Sequence, residues 1–357
     1  MQLTADQRVA VLLHEGIRGE HGKTGLTFLR YSEAAIAAVI DYQCVGESLA
    51  DLRDIPRPVP IVETVTAALA YQPDVLLIGI APSGGQLPPA WQAEIKQAVK
   101  AGLSVVNGLH TPIRSLFPEE ELNLQSGQWL WDLREEPPGL GVGSGKARFL
   151  SCQRVLTVGT DMSIGKMSTS LELVKLAQKQ GYRAQFLATG QGGMMLSGKG
   201  IPLDAIRVDF AAGAVEKLVL EAAAEADFLF VEGQGSLLHP GSTAVLPLLR
   251  GTQPTDLILV HRAQQTAIRH FPDIKIPPLT EVIQLYERLA SGAGAFGPVK
   301  VKGIALNTFA LDDTTAKQEI AKVSDQTGVP CNDMIRFSGE NLFSALIPSR
   351  TTKESSL

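Results

Sequence analysis

The segment that restricts this chain most strongly runs from Val155 to Val174. Val155-Leu156-Thr157-Val158 is a short apolar run of strand type. Gly159-Thr160-Asp161-Met162-Ser163-Ile164-Gly165-Lys166 follows, with five residues between its glycines and a lysine after the second, and Met167-Ser168-Thr169-Ser170-Leu171-Glu172-Leu173-Val174 opens a helical pattern. A strand, a glycine loop and a helix in this order bring successive backbone N–H groups together at a helix N-terminus, where they form a concave anion site under a lysine ammonium. Gly159 and Gly165 permit backbone angles that a side chain would forbid. The loop is therefore expected to hold phosphates, with Gly159, Thr160, Asp161, Gly165, Lys166, Met167 and Ser168 around the ligand. The usual motif has four residues between the glycines and a Ser or Thr after the lysine to meet magnesium. Here Met167 takes that place, so Ser168 or Thr169 has to substitute if a metal binds. A glycine-rich turn with an exposed lysine is the plain alternative.

At 357 residues the chain exceeds the roughly 250–300 at which one hydrophobic core stops growing, which predicts two domains. Residues 134–146, dense in Pro and Gly and without apolar periodicity, read as the linker, placing a Rossmann-like α/β domain at 1–148 and a P-loop NTPase-like α/β domain at 149–357. In the first domain, 8–13, 35–41, 59–62, 75–80 and 103–107 read as strands and 64–71 and 88–101 as helices, the alternation of a parallel sheet. Residues 117–134 are undecided between a helix and packing for the linker. In the second, 155–158, 184–188, 228–231, 257–260 and 301–306 read as strands, and 167–181, 213–226, 279–290 and 314–327 as helices.

A net charge of -5 gives no footprint for nucleic acid. Cys44, Cys152 and Cys331 are far apart and lack metal-ligand spacing, so neither zinc nor haem is expected, and a reducing, cytoplasmic setting is. No run of 18 uninterrupted apolar residues suggests a membrane span. A small-molecule substrate is the expected partner, with a homodimer as the default assembly.

A second stretch, Gly16-Ile17-Arg18-Gly19-Glu20-His21-Gly22-Lys23-Thr24, matches the five-spaced pattern more literally. Its continuation, Gly25-Leu26-Thr27-Phe28-Leu29-Arg30-Tyr31, reads as Gly followed by β-type residues, so no helix is expected where a phosphate would need one. Lys23 and Arg30 remain candidates to line a cleft, beside the alternative of an ordinary surface loop.

Other polar loops follow strands, where α/β sheets bind ligands. Ser83-Gly84-Gly85 and Asn107-Gly108-Leu109-His110 do so in the first domain, His110 being a candidate acid or base or a cap. In the second, Gly190-Gln191-Gly192-Gly193 would let a ligand touch backbone, Glu232-Gly233-Gln234-Gly235-Ser236 carries a carboxylate out of a strand, and Asn307 ends another. Asp209 and His239 are further candidates, with a helix cap and a solvated loop residue as their alternatives.

The five-residue spacing with Asp161 inside it, and Val231-Glu232-Gly233, resemble dethiobiotin synthetase, a P-loop enzyme that activates a carboxylate with ATP. The resemblance implies that Glu232, with Ser168, helps bind magnesium and that Asn307 reads adenine. Residues 36–103 resemble the CoA-binding Rossmann domain of succinyl-CoA synthetase in the order of their elements, but lack the glycine fingerprint after the first of their strands. The motif order across nearly the whole chain, from Lys23-Thr24-Gly25 through Gly84-Gly85, Gly108-Leu109-His110, the P-loop and Gly190–Gly193 to Glu232-Gly233-Gln234-Gly235, resembles a two-domain bacterial and archaeal family that includes D-glutamate N-acetyltransferases. That implies acetyl-CoA as donor, a small anionic D-amino acid as acceptor and a P-loop that holds the CoA phosphates. Acetyl transfer then needs a base, for which Glu232, Asp209, His239 or His110 stand as candidates, and oxyanion donors, for which the amides of Gly190–Gly193 or Gly233–Gly235 do. The rival readings are an ATP- and Mg-dependent carboxylate-activating ligase and a nucleotide-binding regulatory protein.

Overall fold

The computed structural model describes residues 3, 6–81, 87–118 and 122–348. Ser83, Gly84 and Gly85 lie outside the described residues. The chain forms two compact units, Met1–Pro137 with Gly190–Ala205, and Pro138–Thr189 with Ile206–Leu357.

The first unit is built on six strands: β1 (Arg8–Leu12), β2 (Ala35–Ile40), β3 (Ile61–Val62), β4 (Val75–Ile78), β5 (Ser104–Asn107) and β6 (Leu130–Asp132). They run in the order β3-β2-β1-β4-β5-β6, and every pairing is parallel. All four residues of both β4 and β5 are buried, as in a parallel sheet covered on both faces; β4 reads as an unbroken apolar run, and β5 carries two valines between the buried Ser104 and Asn107. Within the undecided stretch 117–134, Leu130–Asp132 form β6 at the edge of the sheet.

One expectation is overturned in this unit. Lys23–Tyr31 is a helix, so a strand, a loop and a helix do surround the second glycine stretch. Thr24, Gly25, Phe28 and Leu29 are its buried residues, at one- and four-residue steps that trace a helical face. Gly25 is there for close packing: a Cβ would lie 2.9 Å from Gly79 Cα, and its N–H donates to Gly79 O at 2.8 Å. The preceding loop is filled by an acceptor of the chain itself. The buried Asp41 carboxylate, just past β2, accepts the N–H groups of Glu15 and Ile17 at 3.2 Å each.

The second unit holds β7 (Gln153–Gly159), β8 (Ala184–Leu187), β9 (Phe228–Val231), β10 (Asp256–Arg262), the antiparallel hairpin β11 (Ala267–Ile268) and β12 (Phe271–Lys275), β13 (Lys300–Asn307) and β14 (Cys331–Asn332). Six of these form a parallel sheet in the order β14-β13-β10-β7-β9-β8. Phe228, Phe230, Leu173, Ile258, Leu342 and Phe343 fill the core against the helix Lys166–Lys179. With β7 central, the loops leaving β7, β9, β10 and β13 emerge side by side at the carboxyl edge. Among the described residues no helix is long and apolar enough to cross a membrane.

The helix Val208–Ala222 starts five residues ahead of Gly213, which reads in sequence as its beginning. Gly213 is instead a packing glycine, since a Cβ there would sit 1.8 Å from Gly141 O. Residues 141–146 of the Pro- and Gly-rich stretch are thus laid across this helix, and polar bonds hold them there. Glu216, on the same helix and 5% exposed, accepts the N–H and hydroxyl of Ser144 at 2.7 and 2.8 Å and the N–H of Lys146. Burial pushes its carboxyl up, but the donors from Ser144, Lys146 and Ala147 outweigh burial and hold it below the usual carboxylate range. A folded pKa below the unfolded one means that this stabilisation is complete above about pH 4.3 and is lost as the pH falls through the folded value. Glu216→Ala should cost about 2–4 kcal/mol, because several buried donors lose their acceptor. Urea unfolding at pH 7 and pH 4 checks this: the variant's deficit should be smaller at the lower pH.

Candidate functional site

β7 carries the chain to Gly159, and six residues separate it from the helix Lys166–Lys179. The turn between them uses two left-handed residues, Ser163 at φ 54° and Gly165 at φ 117°. Lys166, the first helical residue, is 6% exposed, and its Nζ donates to Asp161 O at 2.8 Å, so the ammonium lies back over the loop. Gly159 makes room for it: a Cβ there would be 3.2 Å from Lys166 Nζ. Gly233, entering from the loop after β9, lies on the other side, where a Cβ would be 3.0 Å from Lys166 Cδ and 1.7 Å from Thr157 O.

The loop is held in shape by groups from four other segments. Thr160 Oγ1 pairs with His261 Nδ1 at 2.9 Å, and Thr160 N–H donates to Val260 O at 3.2 Å. Tyr286 OH donates to Gly159 O at 2.7 Å and accepts Leu237 N–H at 3.2 Å, linking the loops after β7 and β9. Asn307 Nδ2 donates to Ile164 O at 3.0 Å, and its Oδ1 accepts Phe309 N–H at 3.1 Å. Asp161 is 1% exposed; its Oδ1 accepts Met162 N–H at 2.6 Å, and its Oδ2 accepts Gln265 Nε2 at 2.6 Å and Arg269 N–H at 2.8 Å. The Asp161 carboxylate therefore joins the P-loop to the β11–β12 hairpin, and Asn307 joins it to the end of β13. Met167 and Ser168 are half-buried in the first helical turn.

Glu232 follows β9 at 5% exposure. Its Oε2 accepts Thr189 N–H at 3.0 Å, and its carbonyl accepts Thr189 Oγ1 at 2.7 Å, tying the ends of β8 and β9 together. Ser236 is buried and its Oγ accepts Leu238 N–H at 3.1 Å, while Gly235 turns at φ 69° and Gln234 is half-buried. His239 accepts Gly241 N–H at 3.1 Å and meets the Phe271 ring edge-on at 5.3 Å. The second unit thus gathers the P-loop, Glu232, the 233–236 turn and Asn307 at one sheet edge. Asp209 is exposed in the first turn of Val208–Ala222. Among the described residues no three of His, Cys, Asp and Glu converge as a metal cluster.

The remaining candidates lie in the first unit. Gly190–Gly193 is no open loop, for Gly190 caps a helix, Gln191–Ser197. Gly108 packs on it, with a Cβ there only 2.8 Å from Met195 Cε. His110 is exposed and contacts Arg134 Nη1; Arg134 donates to Gly108 O at 2.8 Å and pairs with Asp204 at 2.5 Å. Lys23 is exposed at the start of its helix, and Arg30 donates to Arg53 O at 2.9 Å.

Sequence reasoning missed His261, Tyr286, Gln265 and Arg269, because each reaches the P-loop from a distant segment and belongs to no motif. Burial lowers His261 to about 4, so its ring is neutral at physiological pH. An unfolded histidine protonates near 6.5, so as the pH falls from 6.5 toward 4 the unfolded state takes up a proton that the folded state refuses, and stability declines. In His261→Gln, the decline across that window should be shallower by up to about 1.4 kcal/mol per pH unit. Denaturant midpoints from pH 7 to 4 measure it, and identical slopes would contradict the assignment.

Two family models cover most of the chain. A Rossmann-like domain of unknown function, DUF1611_N, matches residues 42–136, and a P-loop domain of unknown function, DUF1611_C, matches 141–343. Among curated proteins, a D-glutamate N-acetyltransferase from Pseudoalteromonas is 34% identical over 76% of this chain and 80% of its own length. One from Tritonibacter scottomollicae is 34% identical over 79% and 84%. Among solved structures, a DUF1611 family protein from Anabaena variabilis is 59% identical, with a TM-score of 0.93 over 96% of this chain and 99% of that one. The chain belongs to the DUF1611 family, a Rossmann-like domain followed by a P-loop domain.

Proposed function

We propose that this protein is an N-acetyltransferase that moves an acetyl group from acetyl-CoA to the amine of a small anionic D-amino acid such as D-glutamate, its P-loop holding the CoA phosphates. The supporting observation is the pairing of two relatives named for that activity, at 34% identity over most of both chains, with a P-loop whose lysine is followed by methionine. A nucleotide diphosphate needs the amides of such a loop and its lysine. It does not need the hydroxyl that in other P-loops meets magnesium.

Acetyl-CoA would supply an activated thioester carbonyl. The chain's tasks are then to orient the donor through its diphosphate, to take a proton from the acceptor amine and to donate hydrogen bonds to the carbonyl oxygen as it gains charge; the C–N bond forms, the C–S bond breaks, and CoA leaves as its thiol with the proton taken from the amine. The Lys166 ammonium, resting on Asp161 O, is 5 residues from that carbonyl in the chain and has only to swing outward to meet a phosphate. Glu232, the one buried carboxylate of the Val-Glu-Gly turn, is the preferred base, and the N–H groups of 233–235 are the preferred oxyanion donors. Asp209, His239 and His110 are secondary choices, because each is exposed or half-buried. Phe309, 85% exposed and bonded to Asn307, offers a flat apolar face beside the P-loop for the adenine ring.

The ATP-dependent ligase is the rival, resting on Glu232 and Ser168 as magnesium ligands. Calorimetric titration with acetyl-CoA and with Mg-ATP separates the two: acetyl-CoA should bind and Mg-ATP should bind far more weakly, and the reverse order would overturn the transferase. Lys166→Ala should weaken acetyl-CoA by about 10- to 100-fold, the worth of a charge-assisted phosphate contact. Glu232→Gln should lower kcat by about 10²- to 10⁴-fold with acetyl-CoA affinity within a few-fold, read from acetylation of D-glutamate. A kcat within threefold of wild type would remove Glu232 as the base.

A further inference from the structure

The segment leaving β10 carries more positive charge than a diphosphate requires. Residues 261–272 read His-Arg-Ala-Gln-Gln-Thr-Ala-Ile-Arg-His-Phe-Pro, with two arginines and no carboxylate between Asp256 and Asp273. Arg262 reaches the P-loop through its guanidinium and Arg269 through its main-chain N–H. Arg262 Nη2 approaches Ser163 O at 3.4 Å, and Arg269 N–H donates to Asp161 Oδ2 at 2.8 Å. Gln265 closes the same turn, its Nε2 bridging Asp161 Oδ2 at 2.6 Å and Ala267 O at 2.9 Å. The Asp161 carboxylate, buried inside a phosphate loop, is thus faced away from a ligand and used to fix the hairpin next to it.

This arrangement sets positive charge at two places around the loop. Lys166 and the amides around Gly165 serve the cradle at the helix start, while Arg262 is half-buried and Arg269 exposed, on the β10 side of the same loop. A linear triphosphate would extend along the cradle toward Lys166. A phosphate attached elsewhere on the nucleotide would reach a lateral site, and guanidinium groups, planar and many-donor, suit the oxygens of a phosphomonoester.

We infer that Arg262 and Arg269 form a second anion subsite that takes a phosphomonoester on the ribose of the bound nucleotide, the 3′-phosphate of CoA. The subsite rests on the acetyl-CoA reading and makes it specific: the protein selects CoA over nucleotides that lack that group.

The test compares CoA with 3′-dephospho-CoA by calorimetry on the full chain. Wild type should bind CoA at least about tenfold more tightly, the worth of one charge-assisted contact. Arg262→Ala/Arg269→Ala should bring the ratio close to one, whereas Lys166→Ala should weaken both ligands and preserve the ratio. The substitution at 269 keeps the backbone N–H that anchors Asp161, and an unchanged melting temperature confirms the fold. Equal binding of the two ligands by wild type, or a ratio that survives the double substitution, overturns the subsite alone. If wild type binds neither ligand, the acetyl-CoA reading falls with it.

Discussion

The second unit depends on how the P-loop is closed from within. Carbonyls and side chains carry much of the work of holding the loop in shape. Tyr286 OH binds Gly159 O, Asn307 Nδ2 binds Ile164 O, Lys166 Nζ binds Asp161 O, and the Asp161 carboxylate gathers Met162, Gln265 and Arg269. The first three of these bonds satisfy carbonyl acceptors of the loop, while the Asp161 carboxylate takes the loop's own Met162 N–H, as Val260 O takes that of Thr160.

Steric limits around Lys166 complete the cradle. The lysine stem runs between Gly159 and Gly233, and a side chain at either position would collide with it or with the backbone beneath it. Thr157 sits under the same point, its Oγ1 accepting Gly233 N–H at 2.9 Å and meeting Ser170 Oγ at 3.1 Å, so the strand, the helix and the Val-Glu-Gly turn are joined at one buried hydroxyl. Glu232 is thereby positioned by two neighbouring strands and the turn that follows it.

The sequence revealed the elements that local chemistry dictates. The P-loop was legible because strand, glycine spacing, lysine and helix are contiguous, and most strands were legible because buried parallel strands are apolar runs. The helix Lys23–Tyr31 was not, since Gly25-Leu26-Thr27-Phe28-Leu29 is too short and too mixed to separate a helical face from a strand, and Gly25 reads as a breaker when its role is close contact with Gly79. Gly213 misled in the same way. Glycine in an element interior looks like punctuation until the segment that crosses it is known. The supports of the P-loop were illegible for another reason: Arg269, Gln265, His261 and Tyr286 act on it from 108, 104, 101 and 127 residues away. Each pairs by topology, and none has a local signature. Likewise, residues 134–146 look like a plain linker in composition, and only the carboxylate of Glu216 and the bare surface at Gly213 explain their order.

A crystal structure of the protein with CoA is the most direct test of the central claim. The account predicts the diphosphate against the backbone N–H groups around Gly165 at the helix start, with the Lys166 ammonium moved from the Asp161 carbonyl onto a phosphate oxygen. CoA bound elsewhere, with Lys166 still on that carbonyl, would contradict it.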